Sequence, residues 1–100
     1  MIRYINHMDR RNFNHRGLKE LFLNGRTSRI GPNFKPKCLR TLDILENAEV
    51  LKDLNIPGMN FHKLTGFNPD RYSMHVNGNW CITFAWVDGE PIDINFEDYH

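Results

Sequence analysis

Long apolar runs, repeats and cysteines are what this 100-residue chain has least of. No stretch approaches the ~20 apolar residues that a membrane-spanning helix needs. The opening residues, Met1-Ile2-Arg3-Tyr4-Ile5-Asn6-His7, carry no apolar core of a secretory signal. A cytoplasmic protein without membrane association is expected. Two cysteines, Cys38 and Cys81, lie far apart and, with no secretory signal, read as reduced thiols. Five histidines occur, yet no pair has a spacing diagnostic of a metal centre. Neither a metal nor a cofactor is expected. No linker or low-complexity tract interrupts the chain, so one domain over residues 1–100 is expected, with a modest core. A hydrophobic share of 40% excludes a disordered polymer.

What is present is an uneven distribution of charge. Residues 1–40 hold ten Lys or Arg against two acids, a net of +8, and residues 41–100 hold three against ten, a net of −7. The basic half suits a polyanion, the acidic half, or an acidic partner.

Both predicted helices fall before residue 49. Arg3-Tyr4-Ile5 suits a short opening strand. Asn12-Phe13-Asn14 offers N-cap side chains to a helix carrying Leu18, Leu21 and Phe22 on one face and ending at Gly25. Arg26 to Pro36 is a basic loop. A second helix is predicted from about Pro36 to Ala48, with Cys38, Leu42, Leu45 and Ala48 facing inward.

The remainder alternates as strands do. Asn60–Leu64 is predicted as a strand. Tyr72, Met74 and Val76, then Trp80, Ile82, Phe84 and Trp86, then Ile92, Ile94 and Phe96 define one apolar face. Asn77-Gly78 suggests a two-residue hairpin loop, but that register mixes polar and apolar faces. Three-residue loops at Asn77-Gly78-Asn79 and Asp88-Gly89-Glu90 keep the face intact. They pair Val76 with Trp80, Met74 with Ile82, Tyr72 with Phe84, Trp86 with Ile92, Phe84 with Ile94 and Ile82 with Phe96. The opposite face carries Arg71, Ser73, His75, Cys81, Thr83, Asn95, Glu97 and Tyr99. It is either a solvated sheet surface or the place where function resides. Trp80 and Trp86 are read as core.

Three segments, His15-Arg16-Gly17-Leu18-Lys19-Glu20-Leu21-Phe22, Asn79-Trp80-Cys81-Ile82-Thr83-Phe84 and the terminal Glu97-Asp98-Tyr99-His100, resemble HigB-type toxins of the RelE/ParE toxin–antitoxin superfamily. The likeness runs over nearly the whole chain, with additional residues around His7 to Asn12. It implies an α+β, RelE-like fold: an N-terminal strand, two helices, then an antiparallel β-sheet meander. It also implies a type II toxin that cleaves messenger RNA on the ribosome, an mRNA interferase. A HigA-type helix-turn-helix antitoxin would neutralise it, and operator DNA would be bound only through that antitoxin. The alternative is a non-enzymatic, ParE-like inhibitor, or a weakened toxin that mainly binds its antitoxin.

By the same resemblance the catalytic residues are His62, Asp98, Tyr99 and His100. The family commonly has a lysine where this chain has Thr65, and an arginine where it has Cys81. Both departures remove a cation. Histidine is the natural proton carrier near neutral pH, so His100 is the first choice as acid or base, with His62 as the second. Asp98 would orient the chain end or share proton transfer, and Tyr99 would stack on a base or bond to phosphate. Lys63, Arg71 and His75 are the expected RNA-binding residues. Lys63 would share a strand face with Thr65, and Arg71 shares the polar face with Cys81. Either would then compensate for the missing charge.

Overall fold

A computed structural model of the chain describes residues 8–99. The predicted strand at Arg3-Tyr4-Ile5 and the terminal His100 lie outside these residues. Two helices, α1 (Arg16–Asn24) and α2 (Lys35–Asn47), precede four strands: β1 (His62–Leu64), β2 (Arg71–Asn77), β3 (Trp80–Val87) and β4 (Glu90–Asp98). The strands form an antiparallel meander in the order β1-β2-β3-β4. The architecture is α+β, as predicted.

Helix α1 ends at Gly25, but its cap differs from expectation. His15 supplies it: Nδ1 accepts the Leu18 N–H at 3.1 Å. Asn12 is instead buried, its amide donating to Glu90 Oε1 and to the Pro91 carbonyl, both at 2.7 Å. The sequence offered two asparagines as caps, Asn12 and Asn14, and long-range bonds to β4 claimed the first. Residues next to α1 also dock on that strand, where the N–H groups of Asn14 and His15 reach the Ile94 carbonyl. Phe13 thereby bridges Ile94 in parallel.

Cys38, Leu42, Leu45 and Ala48 are buried, as their helical spacing requires. With Leu18 and Leu21 of α1 they cover Met74, Val76, Ile82, Phe84, Ile94 and Phe96 of the sheet. Phe84 is fully buried on β3, where truncation to alanine would cost about 3–5 kcal/mol. Trp80 stacks on Phe96 with ring centroids 4.8 Å apart and also meets Phe34. It belongs to an aromatic cluster at the end of the core.

The strand registers resolve the conflict between turn and pattern. Met74 pairs with Ile82 and Tyr72 with Phe84, as predicted, but Asn77, not Val76, pairs with Trp80. Val76 is the extra residue of a bulge, so a two-residue turn with Gly78 (φ 59°) at its first central position coexists with an unmixed apolar face. The next loop is also two residues. Asp88 and Gly89 both have positive φ (53° and 80°), as a type I′ turn demands, and Val87 pairs with Glu90. Here the apolar alternation misled. Ile82 does pair with Phe96, but Ile92 pairs with Ala85, and Trp86 with the buried Pro91. A bulge at Asp93 (φ 49°) inserts one residue and turns Ile92 to the other face.

Candidate active site

The face away from the helices is built by strand alternation. Three cross-strand rows run over it: His75–Cys81–Glu97, then His62–Ser73–Thr83–Asn95, then Leu64–Arg71–Ala85–Ile92. Ser73, Cys81, Thr83 and Ala85 are nonetheless buried. The face is thus a walled groove with a closely packed floor.

A cavity of about 250 Å³ opens at one end of that face, lined by His62, Ser73, His75, Cys81, Asn79 and Tyr99 among others. His62, His75 and Tyr99, three of the predicted site residues, therefore come together although 37 residues separate the first from the last. A larger cleft of about 460 Å³ beside Leu23 is bordered by Asp9, Arg10 and Arg11 and contains none of them.

Local bonds orient the two histidines. His62 Nδ1 lies 2.7 Å from the Asn60 carbonyl. A carbonyl only accepts, so Nδ1 carries the hydrogen and Nε2 remains for proton exchange. His75 shows the reverse arrangement, with Nε2 donating to the Gly78 carbonyl at 2.8 Å. The Asn79 carbonyl accepts the Tyr99 N–H at 2.6 Å, which ties the end of the chain to the β2–β3 turn. The Cys81 thiol makes a long contact, 3.9 Å, to the same carbonyl.

Arg71 crosses β3 over Ala85. Its Nη2 donates to Thr83 Oγ1 at 3.2 Å and to the Asp93 carbonyl of β4 at 2.9 Å. The Thr83 hydroxyl in turn donates to Glu97 Oε2. Sequence reasoning placed Thr83 and Glu97 on this face by alternation but assigned them no role. Asn60, Leu64 and Asn79 were missed as cavity lining, because turn and strand-end residues show no periodicity.

One expectation needs correction. Lys63 does not share the groove. It pairs with Tyr72, which pairs with Phe84, so it belongs to the opposite face, and its Nζ lies 4.0 Å from Asp70. Thr65 lies beyond the end of β1 in an exposed turn, so the two-residue strand period linking it to Lys63 does not apply. Asp98 stands opposite Trp80, in register with the apolar face, and does not line the cavity. His100 lies outside the described residues.

Comparison with known proteins decides the family. The sequence model for the RelE-like toxin of the type II toxin–antitoxin system HigB matches residues 11–100. The chain is 33% identical over 90 residues to endoribonuclease HigB of Proteus vulgaris, covering 90% of this chain and 98% of that protein. It is also 33% identical over 83 residues to toxin HigB-1 of Vibrio cholerae serotype O1, covering 81% and 87% respectively. The chain belongs to the HigB-like toxin family. Every residue of the groove lies within the family match. Met8, Asp9 and Arg10 precede it, and they are part of the fold: Met8 is buried and its N–H bonds to Glu46 Oε2 at 2.8 Å. Among the described residues no helix is long and apolar enough to cross a membrane.

Proposed function

We propose that this HigB-like toxin is a cytoplasmic, ribosome-dependent messenger RNA endoribonuclease, held in check by a HigA-type helix-turn-helix antitoxin through which alone it meets operator DNA. The observation that carries the reading is the meeting of His62, His75 and Tyr99 in one cavity, just past the end of β4. The name of the Proteus relative, an endoribonuclease, supports the same chemistry.

RNA breaks when a 2′-hydroxyl attacks the adjacent phosphorus and the 5′-oxygen leaves. The first oxygen must lose a proton and the second must gain one. His100 is assigned one of these transfers and His62, through Nε2, the other. Tyr99 holds a base by stacking or bonds to a phosphate oxygen. Asp98 orients the chain end, and His75 contacts the RNA. Positive charge is scarce: Cys81 and Thr65 stand where relatives commonly carry cations, and Lys63 belongs to the other face. Arg71 is the remaining source, so the ribosome is assigned the positioning that the small site lacks.

Mapping message ends after expression tests the reading. Breaks at defined positions in translated messages are expected, and His100→Ala should abolish them while leaving the fold intact, because the core pairs end at Phe96. Equal cleavage of naked and ribosome-bound RNA would contradict ribosome dependence. Growth arrest with no broken message would select the non-enzymatic, ParE-like alternative.

A further inference from the structure

The groove holds one arginine in an unusually determined position. Among the described strand residues of the polar face, Arg71 is the only Lys or Arg. Both hydrogen bonds of its guanidinium leave from Nη2, one to Thr83 and one to the Asp93 carbonyl, so Nη1 and Nε keep their hydrogens for another acceptor. The Thr83 hydroxyl has a single hydrogen, and Glu97 takes it. The oxygen must therefore turn a lone pair toward Arg71. Thr83 itself is fully buried on the middle strand, so this oxygen cannot move away.

We infer that Thr83 and Glu97 are positioning residues: they hold Arg71 across the sheet as the groove's fixed cation, aimed at a backbone phosphate of the bound RNA. The inference rests on the reading of this face as the RNA site. A long arginine side chain loses rotamer freedom when it is immobilised. Here that loss has been taken in the free protein, so binding a phosphate does not incur it again. A negatively charged Glu97 beside an RNA groove is otherwise a liability, since it repels phosphate. Its bond to Thr83 gives it a purpose that outweighs the repulsion.

The test is cleavage of ribosome-bound message under single turnover, with thermal unfolding as the folding control. Thr83→Val keeps the shape and removes the hydroxyl. It should fold and cleave ~10-fold more slowly, whereas Thr83→Ser should recover most of the loss. In an Arg71→Ala background, Thr83→Val should change nothing further, because the two residues act through one contact. Glu97→Ala discriminates by sign. Loss of a repulsive charge alone would speed cleavage, whereas loss of the positioning bond slows it, and this variant carries the test if Thr83→Val does not fold. Parent-level cleavage by folded Thr83→Val, an equal loss in the Arg71→Ala background, or faster cleavage by Glu97→Ala overturns the inference while leaving the nuclease reading in place. A parent protein that cleaves no message overturns both.

Discussion

The Asp93 carbonyl, 2.9 Å from Arg71 Nη2, belongs to a residue held at φ 49°. The left-handed backbone that reverses the facing of Ile92 also supplies one of the two bonds that hold the groove's arginine. For an ordinary L-residue that conformation costs about 1–2 kcal/mol, and aspartate and glycine tolerate it best. Asp93→Gly should therefore leave the unfolding midpoint in urea unchanged or slightly raised. Asp93→Val should lower stability by about 2 kcal/mol. A fully stable Asp93→Val protein would show that the bulge is not strained.

His62 and Lys63 are chain neighbours on opposite faces of β1. Their substitutions should separate cleanly. His62→Ala is expected to slow message cleavage by about 100-fold or more, the usual worth of a positioned proton carrier. Lys63→Ala removes an exposed cation paired only at 4.0 Å with Asp70, so stability and rate should both remain near parent values. Rates measured under identical salt decide the matter, and a Lys63 effect as large as that of His62 would contradict the facing assigned by the strand register.

Cys81 lines the cavity, and its neighbours there include no lysine or arginine. Cys81→Arg places a cation where the family resemblance implies one, and should raise the rate of message cleavage several-fold by stabilising phosphate charge. Thr65→Lys, at an exposed turn beyond β1, should give a smaller gain. Slower cleavage by a folded Cys81→Arg variant would mean that the groove is already filled by the Arg71 network.

Much of this was legible in the residue pattern, and the failures share a cause. Cys38, Leu42, Leu45 and Ala48 recur at helical spacing, so their burial follows from periodicity alone. The polar face was legible because Ser73, Cys81 and Thr83 alternate with large apolar residues. Bulges are different. One inserted residue at Val76 or Asp93 shifts a register without changing the composition on either side. That is why Ile92 was assigned to the wrong face while Ile82–Phe96, on the near side of the bulge, was paired correctly. Lys63 was misplaced for a related reason. Its supposed partner in alternation, Thr65, lies outside the strand, where period-two reasoning does not hold. The Arg71–Thr83–Glu97 chain was beyond sequence because it is diagonal across three strands.

Gly17 allows close packing at the start of α1. A Cβ there would lie 2.8 Å from His15 Cε1, 3.0 Å from Arg29 Cβ and 3.1 Å from Ile30 Cγ1. In an exposed helix, glycine to alanine gains up to about 1 kcal/mol, but here the overlap opposes that gain. Gly17→Ala should destabilise the fold by about 1–3 kcal/mol, the usual cost of overpacking. A rise in melting temperature would show that His15 and the loop bearing Arg29 yield without penalty.

His15 should make stability depend on pH. Its Nδ1 caps α1 only while it has a free lone pair, that is, while the ring is neutral. Burial, reinforced by the charge of Arg29, lowers its pKa from the ordinary 6.5. The folded state therefore binds fewer protons than the unfolded chain as pH falls through that region. The stabilisation is present above about pH 6.5 and is lost as acid protonates the folded ring. Removing an N-cap typically costs about 1 kcal/mol. His15→Asn should keep a cap that does not titrate. Urea unfolding at about pH 8 and about pH 5 should thus show a fall in stability for the parent and a shallower fall for His15→Asn. The comparison isolates His15 because the two proteins differ at that residue alone, and the shifted carboxylates, Asp9, Glu20 and Asp53, have pKa values moved downward, away from this window. Identical slopes for the two proteins would remove His15 as the origin of any acid sensitivity in this range.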